Sequence, residues 1–128
     1  MAQSSGSFHE SPEQLKPQTM DRHRAIVSIM EELEAVDWYD QRVDAAGDAE
    51  LRAILAHNRD EEKEHASMTL EWLRRRDPVW DEQLRNYLFT DKPILEVEHA
   101  IEEGEAADGG GSGDGSLGIG SLRAQGRR

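Results

Sequence analysis

Two long stretches free of helix breakers, separated by a single glycine, constrain this chain more than any other feature. From about residue 21 to 46 there is no Gly or Pro, and Ile26, Ile29, Met30, Leu33 and Val36 recur at spacings of three and four. That is the period of an amphipathic helix. Gly47 ends the stretch and Asp48 is placed to cap the next one. A second helix then continues to about Arg76, where Asp77-Pro78 disfavours continuation. Each helix should be about 40 Å long at ~1.5 Å per residue, and so short a connection leaves an antiparallel hairpin as the arrangement.

Arg74, Arg75 and Arg76 in the last turn of the second helix suit its dipole. A third, shorter helix is expected over residues 79–89, with Trp80, Leu84, Tyr87 and Leu88 on one stripe, and a further helical piece over residues 94–103. The first 18 residues carry Pro12 and Pro17 and read as irregular. Two helices cannot enclose a core alone, because each apolar stripe needs cover on more than one side. The expected fold is therefore all-α: an antiparallel two-helix hairpin, half of a four-helix bundle, plus a short C-terminal helix, completed by dimerisation. The expected organisation is an irregular segment 1–20, a helical domain 21–103, a Gly-rich linker 104–115 and a C-terminal tail 116–128.

Composition agrees with an oligomer. Of 128 residues only 36% are hydrophobic and 33% are charged, so one copy buries little apolar surface. The net charge of −12 argues against nucleic acid or an anionic membrane as partner and makes cations the natural ligands. With no cysteine, disulfides and thiolate metal sites are excluded. The N-terminus lacks a basic start followed by an apolar run, and no stretch approaches the ~18 apolar residues of a membrane span, so a soluble cytoplasmic protein is the default expectation.

The chemistry sits where the periodicity is violated. Three-four spacing down the second helix gives Leu51, Leu55, Asn58, Glu62, His65, Thr69 and Trp72 on the inward face, and the same walk down the first gives Ala25, Ile29, Glu32, Val36, Tyr39 and Val43. Glu32, Glu62 and His65 thus occupy slots where aliphatics belong. Burying an ionised carboxylate without a partner costs several kcal/mol, and a metal ion supplies the missing charge. Di-iron carboxylate bundles use a Glu from each of two helices and a Glu-x-x-His pair from each of the other two. This hairpin holds one Glu and one such pair. A two-fold axis would complete the set, and four carboxylates would balance two Fe²⁺. Oxygen-rich ligands with one imidazole per metal suit iron or manganese, although Zn²⁺ or Ca²⁺ can take the same oxygens.

A second signal lies at residues 116–123, Ser-Leu-Gly-Ile-Gly-Ser-Leu-Arg, where Leu117, Ile119 and Leu122 alternate with small residues behind a Gly-rich stretch. Aliphatics so spaced on a linker read as a docking peptide on a leash. The octapeptide resembles the cargo-loading peptide that directs enzymes into encapsulin nanocompartments.

The helical stretches agree with it. Glu31-Glu-Leu-Glu-Ala-Val-Asp-Trp-Tyr39, His57-Asn-Arg-Asp-Glu-Glu-Lys-Glu-His65, Met68-Thr-Leu-Glu-Trp-Leu-Arg-Arg75 and Tyr87-Leu-Phe-Thr90 resemble the encapsulated ferritins. The resemblance implies a ferritin-like ferroxidase that oxidises Fe²⁺ to Fe³⁺ as an open ring of five dimers, a decamer, and leaves iron storage to the encapsulin shell. It assigns Glu32, Glu62 and His65 to a di-iron centre across the dimer interface, with Tyr39 beside it. Glu31, Glu34 and Trp38 match a metal-entry site, and His57, Glu61 and Glu64 match a peripheral cation site. An ordinary polar helix face accounts for those six residues as well. A non-catalytic cation-binding adaptor, whose metals only tie hairpins together, is the alternative, and the redox behaviour of the bound metal separates the two.

Overall fold

The structure, a computed structural model, describes residues 7–107. Among these residues every regular element is helical. A single 3-10 turn at Pro12–Gln14 precedes α1 (Pro17–Ala45), α2 (Ala49–Arg76), α3 (Pro78–Tyr87) and α4 (Ile94–Ala107). They divide into two compact units, one through Arg76 and one from Asp77 on.

The first unit is the hairpin, with α1 and α2 packed antiparallel along their length. α1 begins four residues earlier than the periodicity suggested. Pro17 occupies the first helical position, where its missing N–H is no loss and its fixed φ suits the helix. A proline that reads as a breaker is here a start. At the other end α1 stops at Ala45 without a left-handed glycine, since no glycine has positive φ among the described residues. Instead Arg52 of α2 reaches back and donates from Nε to the Ala46 carbonyl (3.1 Å) and from Nη2 to that of Gly47 (3.4 Å). Asp48 then caps α2 by accepting from the Leu51 N–H at 2.8 Å. Register is pinned further up by Arg59, which donates to Asp40 of α1 at 3.0 Å and to its neighbour Asp60 at 3.1 Å.

In the last turns of α2, Glu71 accepts from Arg74 through both carboxylate oxygens and from Arg75, each at 2.7 Å. The two guanidiniums pull its carboxyl down to about 2. Arg76 lies over the Trp72 ring, 4.1 Å from its centroid. At the N-terminus the Phe8 ring meets His23 of α1 at 4.7 Å, tying the segment before α1 onto that helix.

Enclosed apolar surface is scarce. Leu73, 1% exposed, and Ala25 are the buried apolar residues of the hairpin, whereas Ile26, Leu33, Trp38, Leu51, Ile54 and Met68 stay exposed. An isolated hairpin of this composition has stripes it cannot cover.

In the second unit, Asp77 accepts from the N–H groups of Val79 (2.9 Å) and Trp80 (3.2 Å), so the Asp-Pro step that stops α2 also starts α3. α3 ends at Tyr87, two residues before the expected end, and Phe89 follows at φ 62°, a left-handed position that glycine more often fills. α4 runs through Gly104 to Ala107, entering the stretch read as linker. Glu105, Ala106 and Ala107 are strong helix formers and offset the ~1 kcal/mol that an interior glycine costs. No helix is long and apolar enough to cross a membrane among the described residues. The docking octapeptide at 116–123 lies outside them.

Candidate metal centre

Glu32 projects from the middle of α1, and Glu62 and His65, one turn apart, project from α2. Antiparallel packing in the register set by Asp40 and Arg59 brings the three together. One ligand atom from each lies within 4.8 Å of the others, and among the described residues this is the one group of three or more acidic, His or Cys side chains close enough to share an ion. His65 Nδ1 faces both carboxylates, 3.7 Å from Glu32 Oε2 and 3.6 Å from Glu62 Oε2. The two glutamate side chains are 25% and 24% exposed, and that of His65 is 44% exposed. The cluster is accessible from outside the chain, and only partly hydrated.

Two carboxylates at such range cannot both ionise without cost. Glu32 is held above its ordinary value, first because Glu62 hydrogen-bonds its protonated form. Desolvation and the Glu62 and Glu31 charges push the same way, and His65 opposes them. The neighbouring carboxylates thus disfavour the charged form of Glu32, and a cation between them would favour it. The donor set, two hard oxygens and one imidazole nitrogen, fits Fe²⁺, Mn²⁺ or Zn²⁺. Three donors leave any of these ions short of the four to six that such metals take.

The other residues singled out by sequence do not join the cluster. Tyr39, two turns along α1 from Glu32, is half-buried with Arg42 over its ring at 5.5 Å. Arg42 also lies 5.9 Å from the centroid of Trp38, which is 49% exposed. Glu31 is exposed and Glu34 half-buried, and the two form no three-ligand group among the described residues. His57 Nε2 pairs with Glu61 Oε1 at 3.3 Å, while Glu64 stays outside that pair. Arg42 is the neighbour that the inward stripe does not point to. Its spacing of four from Trp38 and three from Tyr39 was the available signal, since residues so spaced share a helix face.

A family profile described as EncFtn-like matches residues 7–91, the span that carries both long helices and α3. An encapsulated ferritin-like protein of Rhodospirillum rubrum is 66% identical, covering 98% of this chain and 94% of its own length. A ferritin-like protein of Thermotoga maritima is 54% identical over 83% of this chain and 93% of its own. Among solved structures, a crystal structure of a protein of Nitrosomonas europaea superimposes with a TM-score of 0.67 at 62% identity, covering 69% of this chain and 97% of that one. A profile that spans residues 7–91 and relatives alike in sequence along most of their length place the chain in one family, and the chain belongs to the EncFtn-like family.

Proposed function

We propose that this protein is a ferroxidase, oxidising Fe²⁺ to Fe³⁺ at a di-iron centre that forms when two hairpins meet across a two-fold axis. The observation that carries the reading is the convergence of Glu32, Glu62 and His65 within 4.8 Å on facing helices, with too few donors in one chain to satisfy an ion. A second copy doubles the set to four carboxylates and two imidazoles. That number matches two ferrous ions in both charge and ligand count. The exposed apolar residues of the hairpin support the same pairing, as they need a partner surface.

Iron is here the substrate. Glu32 and Glu62 would hold it through carboxylate oxygens and His65 through Nδ1, the atom that faces both carboxylates. Carboxylates bind an ion in their ionised form, so the raised Glu32 value makes metal binding weaken as pH falls. Each Fe²⁺ gives up one electron. Two adjacent ions deliver the pair that reduces O₂, with two protons, to hydrogen peroxide, or peroxide, with two protons, to water. Tyr39 would lie beside the centre, on its side toward the hairpin turn. Glu31, Glu34 and Trp38 feed iron to it, and His57, Glu61 and Glu64 hold cations on the outer surface. Zn²⁺ or Ca²⁺ would occupy the centre without turnover.

The assembly proposed is a ring of five dimers, carried inside an encapsulin nanocompartment in the cytoplasm by the peptide at residues 116–123. Support for the cargo role comes from that octapeptide and from the encapsulated ferritin-like relative, which is 66% identical over 98% of this chain. The test is anaerobic titration of the metal-free protein with Fe²⁺, followed by size-exclusion chromatography and admission of O₂. Ferric absorbance saturating near one iron per chain, with Fe²⁺ shifting the chain to a larger species, is expected. Binding and assembly without iron oxidation would mark an adaptor whose metals are only structural.

A further inference from the structure

On the inward stripe of α2, Asn58 is the residue the ferroxidase reading leaves without a role. It follows Leu51 and Leu55 on that stripe and is half-buried, and its side chain makes no hydrogen bond among the described residues. The polar residue at the opposite flank of the pair behaves differently. Thr69, four residues beyond His65, spends its hydroxyl on the His65 carbonyl at 3.2 Å. An amide contributes nothing to apolar packing, and a half-buried one without a partner costs stability.

The register says what it faces. The Arg59–Asp40 bridge at 3.0 Å sets residues 58 and 39 at one level, just on the turn side of the metal cluster. Glu62 is one turn further along the same face of α2, the spacing at which amide and carboxylate side chains of a helix meet. In the metal-free chain the Glu62 carboxylate is turned to Glu32 and His65. A carboxylate that holds an ion through one oxygen keeps its second oxygen free to accept a hydrogen bond. A metal-ligating carboxylate is then in want of a donor, and such partners orient the ligand.

We propose that Asn58 is a positioning residue of the metal centre, its carboxamide N–H donating to the Glu62 carboxylate when an ion is bound and fixing the orientation of that ligand. This rests on Glu32, Glu62 and His65 being the metal ligands, and the test reads metal binding separately from turnover. Co²⁺ is titrated into the metal-free protein and followed by its visible absorption, alongside initial rates of Fe²⁺ oxidation. Asn58→Leu, with the same side-chain branching and no donor, should weaken Co²⁺ about tenfold and alter its band while keeping helix content. Asn58→Ala, with the strongest helix former, should do the same and serves if the leucine disturbs folding. Asn58→Gln, which keeps the donor at a spacing glutamine also bridges, should restore affinity. Wild-type Co²⁺ affinity and spectrum in a folded leucine or alanine variant would overturn the assignment, as would a glutamine variant as weak as the alanine. If the wild type binds Co²⁺ at Glu62 yet fails to oxidise Fe²⁺, the ferroxidase reading falls and the role of Asn58 is still decided by the Co²⁺ series.

Discussion

Glu32→Gln should stabilise the metal-free protein and cripple the metal-bound one. The ligand atoms of the cluster lie within 4.8 Å of one another. Two carboxylate charges at that separation repel by about 0.9 kcal/mol at the dielectric of water and about 3.5 at an effective constant near 20. With three-quarters of each side chain covered, a value between those limits applies, and glutamine removes the repulsion while its amide still donates to Glu62. We expect a gain of about 1 to 2 kcal/mol per chain at pH 8 in chelator, which for a domain of this size is at least about 4 °C in the thermal midpoint.

The pH dependence follows from the raised Glu32 value. A carboxyl whose folded pKa exceeds its unfolded one favours folding below the unfolded value, and that contribution is lost as pH rises through the folded value. Wild type and Glu32→Gln should therefore converge at about pH 4, below the unfolded value, and separate as pH rises to 8. Divalent metal reverses the order, because only the wild type keeps both carboxylates and gains, for instance, about 2.7 kcal/mol at a free metal concentration of 100 Kd. Circular-dichroism melts of both proteins at the two pH values, in chelator and in Co²⁺, read all of this. A Glu32→Gln midpoint equal to or below wild type in chelator at pH 8 would show that the carboxylates do not oppose each other.

Replacing Glu32, Glu62 or His65 with alanine should abolish rapid Fe²⁺ oxidation measured by ferric absorbance, since each change deletes two ligands from a symmetric centre, whereas Glu34→Ala should only slow iron arrival. Wild-type turnover in any of the first three would refute the ligand set. Glu71, held at about 2 by Arg74 and Arg75, favours folding above about pH 4.5 and loses that effect as pH falls toward 2, so Glu71→Gln should show a smaller loss of helicity than wild type between pH 6 and 2. Deleting residues 116–128 should leave helix content and iron oxidation intact and end co-purification with an encapsulin shell; packaging at the full-length level would remove the docking role from that peptide. Single tails can bury only a few kcal/mol of apolar surface at ~25 cal/mol/Å², so capture should depend on many tails per oligomer.

Legibility in the sequence followed the length over which a pattern had to hold. α1 and α2 were readable because a three-four period sustained over 28 or 29 residues has no competing interpretation. The meeting of Glu32, Glu62 and His65 was readable for the same reason, as the three interrupt that pattern at matching depth in the two helices. Ends were not. Pro17 starts α1 because a proline in the first turn and a proline in the interior look alike in a string of letters and differ only in which N–H they forfeit. α4 runs on to Ala107 because the helix propensities of its last residues outweigh one glycine.

What the helix period cannot reveal is how side chains divide their hydrogen bonds across the hairpin. Arg52 ends α1 from the other helix, and Arg59 sets register through Asp40, contacts that follow only once the two helices are side by side. Those same contacts decide the chemistry of the centre. A slip of one turn would carry Glu32 about 5 Å along the axis and out of reach of His65. The ion pair at Asp40 and the cap at Asp48 therefore do for the metal cluster what a covalent tether would do. They hold Glu32, Glu62 and His65 at one level, which is the arrangement that the proposed second copy would double.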